Sequence, residues 1–323
     1  MLHEHAHLLL QRFADSLDTI IVGKRKEIEL TLLAMLSGGH VLLEDVPGVG
    51  KTMLVRAIAK GIGGSFGRIQ FTSDLMPSDI TGVSVYRPHT GEFEYRPGPV
   101  LSNVVLADEI NRAAPRTQSA LLEAMEERKV TVDGVSRRLP EPFLLLATQN
   151  PLQFEGTYRL PEAQMDRFLM RISLGYPSVE QEIRLLGQQS DRHPLDKMRP
   201  VLLADEVALM QRQVRTVTVD DTVKRYMVAI ADASRRHPGI ALGISPRGTL
   251  AWMTAAQAGA YFKGRMYVIP DDVKAAAEAV LAHRLILSAE AKLAGRSAEE
   301  LVRELVLGTA VPMNSQAAAG GAS

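Results

Sequence analysis

His40-Val41-Leu42-Leu43-Glu44-Asp45-Val46-Pro47-Gly48-Val49-Gly50-Lys51-Thr52 is a short apolar run followed at once by a Gly/Pro loop that ends in Lys-Thr. A continuous apolar run of this length reads as a strand buried on both faces, as in a parallel sheet. Helical spacing resumes over 52–60 and stops at the glycines of 61–64. Strand, glycine loop and helix, in that order, are the setting of a phosphate-binding loop. Glycines let backbone N–H groups turn inward onto phosphate oxygens. A Lys reaches the β/γ-phosphates, a Ser or Thr hydroxyl serves Mg²⁺, and the helix points its positive end at the anion. Gly48, Gly50, Lys51 and Thr52 supply these parts. The general pattern G-x-x-x-x-G-K-[ST] is met except at its first position, which is Asp45.

The same alternation continues on both sides of this stretch. Residues 27–36 read as an amphipathic helix ending at Gly38-Gly39. Residues 69–72, 103–107, 143–147 and 169–174 read as further strands, with a strong helical pattern over 119–128. Strands alternating with helices predict an α/β fold with a parallel sheet covered on both faces. Two segments break the alternation: 83–96 around His89-Thr90-Gly91, and 129–139 around Asp133-Gly134. Both read as β-hairpins inserted into the core. Tyr176-Pro177 marks a change to helical patterning, broken at Pro194, Pro238 and Pro270. The expected organisation is a nucleotide-binding α/β domain over 1–176, an all-α lid over 177–311 and a disordered tail over 312–323.

Composition sets limits. Of 323 residues, 46% are hydrophobic and 23% charged, ordinary for a chain with a real core. Lys+Arg and Asp+Glu both number 37, so no overall basic field favours nucleic acid or an acidic membrane surface. The absence of Cys excludes disulfides, thiolate zinc sites and a cysteine nucleophile. The start lacks the features of a signal peptide and no run of 18 apolar residues exists, so neither export nor membrane insertion is expected and the cytoplasm is the default. His3, His5 and His7 read as a frayed start rather than a metal site.

Three further segments carry chemistry. Val104-Val105-Leu106-Ala107-Asp108-Glu109 delivers two adjacent carboxylates at a strand's C-terminal end, where open α/β sheets bind ligands. Asp108 would serve Mg²⁺ and Glu109 would polarise an attacking water; read alone, the pair could equally cap the next helix. Asn150, in Ala147-Thr148-Gln149-Asn150-Pro151, could orient water against a γ-phosphate, although Asn-Pro is also a turn signal. Arg167, in Met165-Asp166-Arg167-Phe168, and Arg247, in Ser245-Pro246-Arg247, could stabilise charge in phosphoryl transfer or form surface ion pairs.

Taken together the segments HVLLEDVPGVGKT (40–52), LADEINRAAPRTQSALLEAMEE (106–127), LLATQNP (145–151), EGTYRLPEAQMDRFLMRI (155–172) and ISPRGTL (244–250) resemble the MoxR family of AAA+ ATPases. The resemblance runs from about Ile21 to His283, and this family tolerates Asp at the position of Asp45. It implies an AAA+ P-loop fold with two inserted hairpins and a helical lid. It implies ATP contacts from Val22, Gly23, Asp45, Val46, Pro47, Gly48, Val49, Gly50, Lys51, Thr52 and Met53, with Thr52 and Asp108 serving Mg²⁺. By resemblance Glu109 is the catalytic carboxylate, Asn150 sensor 1, Arg167 an arginine finger acting in trans (with Arg171 its competitor) and Arg247 sensor 2. A finger in trans implies a ring, expected to be a hexamer. The family's implied role is chaperone-like remodelling or activation of partner proteins, some with von Willebrand factor A-type domains, or help with metal-cofactor insertion. Two other classes are weighed beside it. A nucleic-acid or magnesium-chelatase-like motor would show DNA-stimulated turnover and salt-sensitive binding. A nucleotide-gated adaptor would bind ATP with little hydrolysis, and would have no need of Glu109.

Overall fold

The computed structural model describes residues 2–150, 158, 160–187 and 194–311. The chain divides into two compact units. One runs from Leu8 to Gln211; the other joins Arg212 onward to the first seven residues.

In chain order the first unit begins on α1 (Leu2–Asp18), whose first residues belong to the second unit, and α2 (Arg25–Leu36). There follow β1 (Val41–Glu44), α3 (Lys51–Gly61), β2 (Phe66–Gln70), α4 (Pro77–Thr81), β3 (Gly82–Arg87), β4 (Glu92–Pro97), β5 (Val104–Asp108) and α5 (Pro115–Glu127). Then come β6 (Lys129–Val132), β7 (Val135–Arg138), β8 (Leu144–Gln149), α6 (Glu162–Met165), β9 (Met170–Ile172), α7 (Val179–Gly187) and α8 (Pro194–Lys197), and α9 (Ala204–Val214) spans the division between the units.

Five strands form a parallel sheet in the order β2-β5-β8-β1-β9. The expected strands are all present. β2 starts earlier than the apolar pattern indicated, because Gly67 and Arg68 interrupt its hydrophobic run. Along β1, β5 and β8 both alternating sets of side chains are buried. Leu42, Val105, Ala107, Leu145 and Ala147 pack on one face with Leu121, Leu122 and Met125 of α5. Val104, Leu106, Leu144 and Leu146, on the opposite face, are equally buried. Each buried Val, Leu or Met among them contributes about 1.5–3 kcal/mol, and a strand apolar on both faces can only sit inside a sheet covered on both sides.

The register aligns Glu44 with Gln149 and Gln70 with Asp108. The C-terminal ends of β1, β2, β5 and β8 therefore share one edge. Both inserted hairpins form, β3 with β4 and β6 with β7. At the tip of the second, Asp133 (φ 51°) and Gly134 (φ 75°) both take left-handed conformations, as a two-residue primed turn requires. The Arg137 guanidinium lies 3.7 Å from the Tyr95 ring centroid and joins the two hairpins.

The division at Gln211 falls downstream of the change in sequence character at 176. Residues after α7 stay tied to the first unit: Lys60 donates to the Leu195 carbonyl at 2.8 Å, Val201 N–H to Gly61 at 2.8 Å, and Gln211 to Met35 at 2.6 Å. The second unit carries α10 (Asp221–Arg236), β10 (Ile240–Leu242), α11 (Pro246–Phe262), α12 (Pro270–Leu281), β11 (Ile286–Leu287), α13 (Ala289–Leu293) and α14 (Ala298–Gly308). It is helical apart from the antiparallel pair β10–β11, whose strands are too short to show a period of two in the sequence. The N-terminal His-rich segment is helical rather than frayed, and His7 Nδ1 lies 2.7 Å from the Phe262 carbonyl. The tail expected to be disordered, 312–323, lies outside the described residues.

His40, just before β1, is buried, with Nδ1 accepting from the Leu145 amide at 3.1 Å and its ring edge-on to Phe143. Burial, reinforced by the nearby Arg128 charge, pushes its pKa well below the ordinary value. The unfolded chain thus binds more protons than the folded one as pH falls below about 6.5. The stability involved is complete above that pH and is lost as pH falls toward the depressed folded value. Acidification from pH 7.5 to 5.5 should cost at most about 1.4 kcal/mol at this residue, or roughly 3–5 °C of melting temperature. His40→Asn should flatten that part of the pH dependence; parallel melting curves for the two proteins would exclude His40 as its source.

Candidate functional site

The aligned strand ends open into a cleft of about 310 Å³. Asp45, Pro47, Gly48, Gly50, Lys51, Thr52 and Met53 line it from the loop after β1; Arg68 and Gln70 from β2, Asp108 and Glu109 from β5, and Thr148 and Asn150 from β8 complete it. Gly48 and Gly50 have φ of 84° and 94°. A Cβ at either would meet no atom within 4 Å. Left-handed backbone, rather than lack of space, is what calls for glycine here.

Gly50 caps α3, so the loop opens directly onto the unpaired amides of that helix's first turn. Lys51 Nζ donates to the Asp45 carbonyl at 3.0 Å. Burial pulls the pKa of the Lys51 ammonium down, opposed by the carboxylates of Asp45, Asp108 and Glu109.

Glu109 has φ 58°, a left-handed conformation outside glycine that costs about 1–3 kcal/mol and collects at functional sites. Thr148, buried at the end of β8, ties the two residues together: its hydroxyl donates to the Asp108 carboxylate at Oδ1 (2.8 Å) and accepts from the Glu109 backbone amide at 2.8 Å. Asp108 Oδ2 also receives Arg68 at 2.7 Å. Glu109 Oε2 receives Arg112 at 2.9 Å and, more loosely, Gln70 at 3.4 Å.

Of the residues expected from sequence, the cleft gathers Asp45, Pro47, Gly48, Gly50, Lys51, Thr52, Met53, Asp108, Glu109 and Asn150. Val46 and Val49 belong to the same loop without lining the cleft. Asp45 lines the cleft, but its carboxylate turns to the segment after β9. Val22 and Gly23 lie in a turn bound to that same segment, with Lys24 Nζ donating to the Tyr176 carbonyl at 3.0 Å. Arg167 does not line the cleft of its own chain. It donates to the Leu122 carbonyl at 2.9 Å and pairs with Glu126 at 2.8 Å, both on α5. Arg171 pairs with Glu44 at 3.0 Å across β9 and β1. Arg247 is in the first turn of α11, in the second unit. Arg68, Gln70, Arg112 and Thr148 are site residues that the motifs did not single out. Alternation along β2 (Arg68 and Gln70 exposed, Gly67 and Ile69 buried) puts the first two on a common face but does not reveal their partners.

The donor set suits Mg²⁺: a hydroxyl at Thr52 and a carboxylate at Asp108 face one cleft, hard oxygen ligands of the kind that hold this ion together with phosphates and water.

Comparison with known proteins agrees with this geometry. Residues 40–170 match the family model "ATPase family associated with various cellular activities (AAA)", and 232–305 match the AAA lid domain. The chain is 53% identical to the YeaC protein of Bacillus subtilis (strain 168), covering 97% of this chain and 98% of that one. It is 43% identical to Chaperone MoxR1 of Mycobacterium tuberculosis, covering 93% and 81%, and 33% identical to Protein MoxR of Methylorubrum extorquens, covering 85% and 87%. A solved structure from Cytophaga hutchinsonii superposes with a TM-score of 0.89 at 36% identity, covering 96% of this chain and 97% of that one. With a parallel-sheet core, a P-loop after β1, paired carboxylates at the end of β5 and a helical lid, the chain belongs to the MoxR family of AAA+ ATPases.

Proposed function

We propose that this chain hydrolyses ATP with Mg²⁺ in the cleft around Lys51 and uses the turnover to remodel or activate partner proteins. The observation that carries the reading is the joint placement of Lys51 and Thr52 with Asp108 and Glu109, the last two coupled through Thr148. Backbone amides at Gly48 to Thr52 cradle the β- and γ-phosphates, and Lys51 supplies positive charge there. Thr52 and Asp108 hold the Mg²⁺, which when bound neutralises phosphate charge. Glu109 accepts the proton of a water as its oxygen attacks the γ-phosphorus; the bond to the bridging oxygen breaks, giving ADP and inorganic phosphate. Asn150 orients that water.

Arg167 acts in trans, completing the cleft of a neighbouring copy. Its position against α5, outside the lining of its own cleft, supports this role, and Arg247 reports nucleotide state from the lid. The assembly is a ring, six-membered by family resemblance, and its clients are proteins, those with von Willebrand factor A-type domains or awaiting a metal cofactor being the first to try. The name of the Mycobacterium relative, a chaperone, supports the client reading. No helix of the described residues is long and apolar enough to cross a membrane.

The test is steady-state phosphate release at saturating ATP–Mg²⁺ against protein concentration. The rate per subunit should rise with concentration and level off as the ring forms. A rate independent of concentration, from a species that stays monomeric with ATP, would remove Arg167 from its role; no turnover at any concentration would remove the hydrolase reading.

A further inference from the structure

Asp45 occupies the position where the general phosphate-loop pattern has its first glycine. It is 5% exposed, and each of its polar groups is engaged in a different direction. Its amide donates to the Gln149 carbonyl of β8 at 3.2 Å. Its carbonyl accepts from Lys51 Nζ at 3.0 Å. Its carboxylate points away from the loop's glycines and accepts from Ser173 Oγ at 3.1 Å, from the Gly175 amide at 3.1 Å and from the Leu174 amide. The pairing of Leu43 with Ile172 brings those three donors alongside.

Beyond them the chain turns at Gly175 (φ 62°), and the Tyr176 carbonyl accepts from Lys24 at 3.0 Å. The neighbouring Gly23 carbonyl accepts from Gln181 at 3.3 Å. An unbroken series of polar contacts thus runs from Lys51 through Asp45 and residues 173–176 to the turn at Gly23 and Lys24.

We infer that Asp45 is a positioning residue that fixes the phosphate loop in register with the turn at Gly23, so that the nucleoside end and the phosphate end of one nucleotide are bound as a unit. The inference rests on the ATP reading above, with the Gly23 turn taken to be at the nucleoside end as the family resemblance implies. A glycine at 45 would improve the motif while removing the carboxylate that receives Ser173, Leu174 and Gly175. The Ser173, Leu174 and Gly175 donors need an acceptor at both side-chain oxygen positions of residue 45. Asn offers one acceptor and turns an NH₂ donor toward an amide that is itself a donor, so Asp45→Asn keeps the volume and breaks the clamp.

Two probes separate the possible roles, each titrated calorimetrically into the full chain with Mg²⁺: the non-hydrolysable analogue AMP-PNP, which spans both ends, and inorganic tripolyphosphate, which engages the loop alone. Asp45→Asn should weaken AMP-PNP binding at least tenfold and tripolyphosphate binding less than threefold, lowering the ratio of the two affinities. Lys24→Ala cuts the far end of the series at a surface residue and should lower the ratio in the same direction by a smaller factor. If Asp45→Asn does not fold, Lys24→Ala alone decides.

Equal losses for both probes would make Asp45 a purely structural residue and overturn the inference. Tighter binding of both would mean that the carboxylate faces the phosphates and repels them, which also overturns it. An unchanged ratio in Lys24→Ala overturns the link to the turn. Wild-type protein that binds neither probe would overturn the ATP reading itself, a result distinguishable from all of these.

Discussion

Glu109→Gln should lower ATP turnover by about a hundredfold or more while leaving nucleotide affinity within roughly threefold, so that the variant holds ATP without releasing phosphate. The magnitude is that of removing a positioned general base, typically 10²–10⁴-fold. The substitution is nearly isosteric. Arg112, 2.9 Å from Glu109 Oε2, still finds an oxygen acceptor, and the amide of residue 109 still donates to Thr148. The left-handed backbone at φ 58° belongs to the turn and is unaffected by side-chain charge. What is lost is the proton acceptor. Lys51 loses one of its three nearby carboxylates, but Asp45 and Asp108 remain to hold its charge. Phosphate release and filter-retained nucleotide, measured on the same preparation, check both halves of the expectation. Unchanged turnover would show that Glu109 is not the base, and turnover lost together with nucleotide binding would show that the substitution has damaged the cleft rather than the chemistry.

The parts of this cleft that could be read from the sequence are those lying contiguously along it. Lys51 and Thr52 follow their glycines directly, and Asp108-Glu109 ends an apolar strand, so local spacing already contains the geometry. The strands were legible for a similar reason: a strand buried on both faces must be apolar at every position, as Val41 to Leu43 and Leu144 to Ala147 are. β2 was displaced by a few residues because at an exposed edge only Gly67 and Ile69 are buried. Thr148, Arg68 and Gln70 acquire their roles from register between strands some 40 positions apart, and nothing in their local sequence announces it. The same holds for Asp45. Motif position assigned it to the phosphate, whereas the partners of its carboxylate lie on the far side of β1, beside a strand reached about 130 residues later. Arg167 and Arg171 show the converse limit. Each was legible as a cation near the end of the sheet, but only coordinates distinguish the one pairing on α5 from the one that spends its charge on Glu44.

Replacing Asp272 with Ala should destabilise the helical unit by about 3–5 kcal/mol, the usual cost of removing one partner of a buried ion pair. Asp272 is 2% exposed and carries three jobs on two oxygens. Arg265 binds it through both terminal nitrogens at 2.7 Å, Lys263 reaches Oδ1 at 3.1 Å, and the Ile269 amide donates to Oδ2 at 3.1 Å, closing the first turn of α12. Burial alone would raise the pKa of this carboxyl; the Arg265, Ile269 and Lys263 donors outweigh it and hold it below the ordinary value. The variant loses the bidentate pair and a helix cap together and leaves Arg265 with the Tyr267 carbonyl in place of a carboxylate. A melting temperature lower by roughly 10 °C, with amide exchange accelerated first in α12, is the expected readout. The pH dependence adds a second constraint. A carboxylate with a depressed folded pKa contributes stability that is complete above its unfolded value, near 3.9, and is lost only as pH falls through the folded one. Between pH 5.5 and 7.5 the cost of Asp272→Ala should therefore be constant, while the His40 contribution changes across that window. A cost that grows on going from pH 7.5 to 5.5 would mean that the folded Asp272 carboxyl is taking up a proton there, and that its three donors do not outweigh its burial.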